Sequence, residues 1–198
     1  MQTYSHLLVT AVVDRQLVRR QVPVHTLALL TGSVLPDIPF FLLTVLGEAY
    51  FRWFTTTPTG ESPMIYMHFT LFFTDPLWIV SHNFFHAPLI LGVLGLAGFA
   101  GVQWGQHWGQ GWGRVLLWFT AGAGLHTLID IFTHSSDGPL LFFPFNWRYR
   151  FPSPVSYWER DNFGLVFTLV EHLVDVAILV YLVWQWRRRR RQRSVVAP

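Results

Sequence analysis

Long apolar stretches alternate with short polar connections along most of this chain. Four of them reach the length of about 20 residues that a helix needs to cross a membrane; they are residues 23–46, 76–102, 114–133 and 163–186. Residues 5–20 form a shorter helix with a basic end, opened by a Ser5 cap, which either spans at a tilt or lies at the interface. The pattern predicts an all-α, polytopic helical membrane protein with about four to five transmembrane helices.

The pattern also predicts where individual helices break and begin. Pro36 and Pro39 must kink or break the helix in 23–46, and Asp37 between them is either a helix cap or a site residue. Asp75-Pro76 is a strong helix start, so a helix is expected from there to about residue 102. The other segments are predicted connections: 47–63, an interfacial piece at 64–73, a Gly/Trp turn at 103–113 and a long loop at 134–162.

The composition supports a membrane location. The chain is 52% hydrophobic and 13% charged, with a mean hydropathy of +0.34, whereas average soluble proteins carry about 25% charged residues. We expect one helical membrane domain at 1–186 and a basic cytoplasmic tail at 187–198. All 14 basic residues are arginine, and six lie in that tail, which indicates anionic lipid rather than nucleic acid as the partner. With no cysteine, histidine and carboxylate are the strong metal ligands that remain.

Ionisable residues recur at helical spacing inside the apolar stretches. His126, Asp130 and His134 follow one another at intervals of four, and so do His82 and His86, so each set lies on one helix face. A single residue of this kind is more often a hydrogen-bonded core residue than a ligand. The case for a site therefore depends on whether the separate sets converge.

Depth arithmetic brings these groups to one level of the bilayer. At a rise of about 1.5 Å per residue, His86, His126 and His172 lie about 12–15 Å below the outer ends of their helices. Asp37 falls in the outer half as well, and His6 starts the first helix from the outer side. Because unpaired ionisable groups are costly at this depth, the sequence predicts a His/Asp cluster within the bundle.

Four blocks also carry a family resemblance: Ser5-His6-Leu7-Leu8; Gly32 with Leu35-Pro36-Asp37; His82-Asn83-Phe84-Phe85-His86; and His126-Thr127-Leu128-Ile129-Asp130 leading to Pro144, Trp147-Arg148-Tyr149-Arg150 and Pro152. In order and spacing the chain resembles the LexA-regulated, membrane-bound family of predicted metal-dependent hydrolases (YdjM-like). Family members usually read Leu-Pro-Asp-x-Asp, whereas this chain has Pro39 at the second aspartate.

The resemblance implies a bacterial inner-membrane protein that binds a divalent metal, with zinc expected. The order of the family's ligands is similar to that of zinc-dependent phospholipase C. By that likeness, the metal shell comprises His6, Asp37, His82, His86, His126 and Asp130.

Metal-dependent hydrolysis is the reaction that follows from this reading. A site reached through apolar surface favours a lipid or a lipid-linked ester or phosphodiester as substrate. Glu171, His134 and Asp175 are the candidate proton acceptors, and Arg148 and Arg150 are candidates for binding an anionic headgroup. Aromatic stacking that merely holds the loop is the alternative role for the two arginines.

A non-enzymatic membrane protein is the alternative function. In a carrier, the His/Asp cluster would relay protons or ions. In a pigment-binding or haem-binding subunit, it would supply axial ligands; a structural subunit is a further version. Transport without turnover would favour the first version, and a visible absorption band the second.

The arginine distribution predicts the orientation in the membrane. The side of the C-terminus carries ten arginines, namely Arg15, Arg19, Arg20, Arg114 and the six of the tail, against four on the other side, namely Arg52, Arg148, Arg150 and Arg160. Positively charged loops stay in the cytoplasm. We therefore expect reporter fusions to place the C-terminus in the cytoplasm and the 134–162 loop outside. A tail reported outside would move the His/Asp cluster to the inner half.

Overall fold

The computed structural model describes residues 1–105 and 107–196. The all-α prediction is confirmed, since within these ranges the sole β pairing is an isolated antiparallel bridge between Leu140 and Arg150. The helices are α1 (Thr3–Arg19), α2 (Thr26–Gly32), α3 (Ile38–Trp53), α4 (Pro63–Tyr66), α5 (Phe72–Thr74), α6 (Pro76–Asn83), α7 (Pro88–Trp104), α8 (His107–Thr133) and α9 (Gly164–Val196). Short turns of other helix types lie at Leu35–Asp37, Met67–Leu71 and Arg160–Asn162.

Three helical stretches of the described chain are long and apolar enough to cross a membrane: Thr26–Trp53, Gly111–Thr133 and Gly164–Arg188. The α6–α7 pair makes a fourth if its 49° bend is counted within one span. With 17 residues, α1 is about 26 Å long, slightly less than the hydrocarbon thickness of about 30 Å. The bundle thus has the predicted polytopic character, with three to four candidate spans.

The helix expected from Pro76 to residue 102 begins as predicted but is broken. Asp75 caps it, because its Oδ1 accepts hydrogen bonds from the backbone N–H groups of Leu77 and Trp78. The helix then ends at Asn83 and resumes at Pro88. Proline lacks an N–H donor and clashes with the preceding turn, so a continuous helix could not pass through Pro88. His86 consequently lies in the break and not on a regular helix face.

Other helix boundaries also differ from those predicted from the sequence. Helix α1 starts at Thr3 without a side-chain cap, so the predicted Ser5 cap is wrong; the Ser5 hydroxyl donates to Asp175 instead. Helix α3 continues to Trp53 and shortens the predicted 47–63 loop. Most of the predicted 103–113 turn is helical because it contains no proline, and each glycine costs a helix only about 1 kcal/mol.

The predicted 187–198 tail continues the last helix rather than leaving it. Helix α9 extends through the arginine run to Val196. Residues 197 and 198 of the predicted tail, and Gln106 of the predicted turn, lie outside the described residues.

Two glycines set the close approach of α2 to α8. A Cβ at Gly122 would lie 2.0 Å from the Leu29 carbonyl oxygen, and a Cβ at Gly32 would lie 2.0 Å from the Phe119 carbonyl oxygen. The two backbones can meet this closely only because both positions lack a side chain. The contact places Ser33, directly after Gly32, beside His126, one turn beyond Gly122 on α8.

The 134–163 loop is anchored to the bundle through Asn83. This side chain is fully buried; its Nδ2 donates to the Ile79 carbonyl, and its Oδ1 accepts from the Leu140 N–H at 2.7 Å. Leu140 itself packs with Ile79, Ala87 and Phe143. The break in the α6–α7 helix therefore also supports the loop.

Replacing Gly122 by alanine should destabilise the protein, because its Cβ would collide with the Leu29 carbonyl. We expect a loss of about 1–3 kcal/mol in the free energy of unfolding and a lower midpoint of thermal unfolding in detergent. Gly124→Ala is the matched control on the same helix, since nothing lies within 4 Å of its added Cβ. Alanine at position 124 should leave the free energy of unfolding unchanged or raise it slightly. Equal effects of the two substitutions would contradict this account of the α2–α8 contact.

Candidate metal centre

Four side chains from three separate segments converge at one point in the bundle. Asp37 comes from the start of α3, His86 from the break between α6 and α7, and His126 and Asp130 from consecutive turns of α8. One potential ligand atom from each lies within 4.8 Å of the other three. Among the described residues, this is the group of His, Asp and Glu side chains that could hold a metal ion.

The spacing of these atoms matches four-coordinate geometry. The Nε2 atoms of His86 and His126 lie 3.0 Å apart. Oδ1 of Asp37 lies 3.3 Å from the first of these nitrogens and 3.4 Å from the second, and Oδ2 of Asp130 lies 3.6 and 3.0 Å from them. Tetrahedral zinc with bonds of about 2.0–2.1 Å keeps its ligands about 3.3–3.4 Å apart. Five of the six separations, at 3.0–3.6 Å, are close to that value, so the donor set is compatible with a tetrahedral ion.

Backbone carbonyls fix the tautomer of both histidines. Nδ1 of His86 lies 2.5 Å from the His82 carbonyl oxygen, and Nδ1 of His126 lies 2.8 Å from the Ser33 carbonyl oxygen. A carbonyl only accepts, so each Nδ1 carries a proton, and each ring in its neutral form presents an Nε2 lone pair to the centre. Two lone pairs and two carboxylate oxygens thus face one another, an arrangement that a cation stabilises.

The outer oxygens of the two carboxylates are held as well. Oδ2 of Asp37 accepts a hydrogen bond from the Thr3 hydroxyl. Oδ1 of Asp130 lies 3.0 Å from the amino group of Met1 and 2.9 Å from Nε2 of His6. Asp37 occupies the cap position of α3 but makes no side-chain capping bond. The alternative reading of Asp37 as a helix cap is therefore wrong.

His6 and His82 border the four-residue group without joining it. The His6 ring stacks on His126 with centroids 3.7 Å apart, and although its Nε2 is close to Asp130, the two are not aligned for a hydrogen bond. The His82 ring stacks on His86 at 4.5 Å, and its buried Nε2 has no hydrogen-bond partner within the described chain. Their place in the metal shell stays a prediction.

The candidate proton acceptors lie at different distances from the centre. Nδ1 of His134 is 3.1 Å from the Asp130 carbonyl oxygen and 3.5 Å from its Oδ1. Glu171 and Asp175 are buried on α9, where they accept hydrogen bonds from the Gln2 N–H and the Ser5 hydroxyl. His134 therefore touches the centre, whereas the two carboxylates reach it only through α1.

The two loop arginines have different surroundings. Arg148 is exposed. Arg150 is partly buried, donates to the Gly138 carbonyl and lies over the Phe72 and Phe73 rings, at 5.1 and 5.6 Å from their centroids. Burial lowers the pKa of the Arg150 guanidinium to about 10, so it stays charged at neutral pH. These contacts tie the loop to α5.

Sequence reasoning missed the residues that position the ligands. Thr3 holds Asp37, the Ser33 carbonyl orients His126, and Asn83 holds the loop. Asn83 lies inside the His-Asn-Phe-Phe-His block, so its proximity to two histidines was an available signal. Nothing in the sequence indicates which backbone carbonyl will meet His126.

Together, the fold and the site define a class of protein: a helical membrane bundle with a buried His/Asp centre. The profile of the YdjM inner membrane protein family matches residues 1–197. The chain therefore belongs to that family, and its apolar helices agree with an integral membrane protein. No curated protein and no solved structure matches it.

The contacts of Arg150 predict a structural effect that Arg148 does not share. Arg150→Gln should lower the free energy of unfolding by about 1.5–3 kcal/mol, because it removes a charged donor from the Gly138 carbonyl and a cation from two aromatic rings. Thermal unfolding in detergent measures the loss. Arg148→Gln is the matched control and should leave the midpoint unchanged. Equal stability of both variants would mean that Arg150 does not hold the loop.

Proposed function

We propose that this protein is a membrane-embedded, metal-dependent hydrolase whose zinc ion is held by Asp37, His86, His126 and Asp130. The observation that carries the proposal is the convergence of four acceptor atoms at tetrahedral spacing, with both imidazoles oriented by backbone carbonyls. Two imidazoles and two carboxylates suit zinc better than the oxygen-only preference of magnesium or calcium. A bound zinc ion supplies Lewis acidity and lowers the pKa of water to about 7.

Asp37 marks the side from which water and substrate approach. Its side chain is 25% exposed, whereas those of His86 and His126 are 0% and that of Asp130 is 4% exposed. Catalytic zinc sites keep a position for water and substrate beside their protein ligands, so water at this centre would be a fifth ligand or would replace the most exposed carboxylate, that of Asp37. The exposed edge of the four-residue group therefore lies at Asp37.

Apolar side chains flank this exposed edge. Phe41 lies one helical turn beyond Asp37, and Leu7 lies one turn beyond Thr3, which hydrogen-bonds Asp37. Both are among the exposed large hydrophobic residues. Such an approach favours a substrate that arrives from the bilayer, that is, a lipid or a lipid-linked ester or phosphodiester.

Residues around the centre would then divide the remaining tasks. His134 is the proposed proton acceptor closest to the ligands: its Nδ1 lies beside Asp130 and donates to the Asp130 carbonyl, so the proton would be taken by its other ring nitrogen. Glu171 and Asp175 would take protons only by way of α1. The exposed guanidinium of Arg148 is the better placed of the two arginines to meet an anionic headgroup, since Arg150 is engaged with the loop.

The double variant His126→Ala/Asp130→Ala should lose its metal while its helices still insert, because the change makes α8 more apolar. Elemental analysis should find a stoichiometric divalent metal in the purified wild-type protein and none in the variant. In mixed micelles, the wild type should hydrolyse chromogenic ester or phosphodiester probes that carry long acyl chains. The variant should have no such activity.

His172→Ala/Asp161→Ala is the matched control, since it removes one histidine and one aspartate that are exposed and outside the centre. It should keep the metal. Stoichiometric metal in the His126/Asp130 variant, or none in carefully prepared wild type, would overturn the hydrolase proposal. Metal without turnover on any ester or phosphodiester would favour an ion or proton relay.

A further inference from the structure

One part of the long loop forms a closed turn. Its two ends, Leu140 and Arg150, are joined by the antiparallel bridge, and the Leu141 N–H donates to the Tyr149 carbonyl at 3.2 Å. Within the turn, Oδ1 of Asn146 accepts hydrogen bonds from the backbone N–H groups two and three positions ahead. Such bonds from an asparagine side chain hold a turn in one backbone conformation, so the directions of its side chains are fixed.

The apolar side chains of this turn divide into a buried set and an exposed set. Leu140 and Phe143 are buried and pack with Ile79 and Ala87, beside the break in the α6–α7 helix. Four aromatic side chains are instead between 41% and 85% exposed, namely Phe142, Phe145, Trp147 and Tyr149. We call residues 142–149 the aromatic turn. A cluster of exposed aromatic rings marks a surface that contacts something other than water.

Two candidate spans end beside this loop at one level. The Thr133 carbonyl, at the end of the span Gly111–Thr133, accepts a hydrogen bond from the Tyr157 N–H. The Tyr157 carbonyl accepts from the Thr168 hydroxyl, near the start of the span Gly164–Arg188. Because the apolar length of a spanning helix matches the hydrocarbon core, this common level marks the membrane surface at the loop end of the bundle.

The aromatic turn adjoins the lipid-facing surface of α8 at that level. Phe151, just after the turn, packs against Phe132 of α8 with ring centroids 5.5 Å apart. The Ser153 hydroxyl donates to the Phe132 carbonyl at 2.7 Å, which ties the same stretch of loop to the end of α8. The Phe132 side chain is exposed on a candidate span, so lipid surrounds it. The turn therefore begins beside lipid.

The residue types in the turn suit the boundary between lipid and water. Tryptophan and tyrosine concentrate at this boundary, because each has an apolar ring and one polar group. Arg148 lies between Trp147 and Tyr149 in the sequence, and its side chain is exposed. A guanidinium pairs strongly with phosphate, the group that phospholipids present at the same depth. Rings and charge together therefore match a phospholipid surface.

We propose that the aromatic turn is a membrane-interface anchor, which inserts its four exposed rings among the phospholipids at the loop end of the bundle and places Arg148 against lipid phosphate. The anchor requires neither a metal nor hydrolysis. The base of the turn is attached to Asn83 through the Leu140 N–H, and the Asn83 carbonyl accepts from the His86 N–H at 3.2 Å. The anchor therefore fixes the level of the membrane surface relative to a residue of the metal centre.

Spin labelling tests the anchor, since the chain contains no cysteine of its own. A nitroxide is attached to Phe145→Cys in the full chain, which is placed in phospholipid nanodiscs. Phe145 is 85% exposed, so its replacement removes little packing within the protein. Electron paramagnetic resonance then measures collisions of the label with oxygen, which concentrates in lipid, and with a water-soluble nickel chelate.

Two further positions serve as references for water and for lipid. Thr59→Cys is the matched water control, because Thr59 is an exposed polar residue in the connection between α3 and α4. Val180→Cys is the lipid control, because Val180 is 64% exposed on the candidate span of α9.

The label at position 145 should collide with the nickel chelate about threefold less often than the label at position 59, because an interfacial side chain is partly excluded from water. Its collisions with oxygen should be more frequent than those at position 59. Arg148→Gln should raise the nickel collisions at position 145 about twofold, because it removes the contact with phosphate. Adding Phe142→Ser/Tyr149→Ser should raise them to the level at position 59, which shows that the native rings, and not the label, insert.

Each other outcome overturns a stated part of the anchor. Equal nickel collisions at positions 145 and 59, or exclusion of the chelate that persists in the Phe142/Tyr149 variant, would overturn insertion of the native rings. Few collisions with either probe would place position 145 against protein, such as a second copy of this chain, and would overturn lipid as the occupant. An unchanged value in Arg148→Gln would overturn the phosphate contact. Metal content and turnover enter none of these readings, so the hydrolase proposal fails or stands separately.

Discussion

Two imidazole nitrogens and two carboxylate oxygens converge within 4.8 Å of one another inside an apolar bundle. When both rings are neutral, the single ring proton of each histidine is on Nδ1, which donates to a backbone carbonyl. None of the four converging atoms can therefore donate a hydrogen bond to another. Such a set of acceptors is stable in a low-dielectric interior only if positive charge sits among them. Three segments distant in sequence meet at this point, and two of them bring their ligand atoms on irregular backbone.

Two of the four potential metal ligands, Asp37 and His86, lie on irregular backbone. Asp37 ends a turn that contains Pro36, and His86 lies just before the point where the helix resumes at Pro88. At membrane depth, broken helices persist only where protein covers the freed backbone groups or a cavity receives them. Asn83 and the loop segment at Leu140 cover the second break. The regular helix α8 provides the fixed edge against which both irregular segments are placed.

The linear pattern alone determined the helical class, the positions of the long apolar stretches and the Asp75 helix start. These features depend on local composition, since a membrane helix satisfies its own backbone and needs only sufficient apolar length. The i, i+4 pairing of His126 with Asp130 was predictable for the same reason, because both lie on one uninterrupted helix. Their position beside other ionisable groups followed from depth arithmetic alone.

Tertiary structure alone decided which ionisable residues face one another. His82 and His86 were predicted on one helix face, yet the break before Pro88 turns only His86 toward Asp37. Ser5, expected to cap its own helix, donates instead to Asp175, 170 positions away. Sequence spacing reports neighbours only within a continuous element, whereas these contacts depend on how separate elements pack. That packing is set by backbone approaches such as Gly32 against α8, which no local pattern reveals.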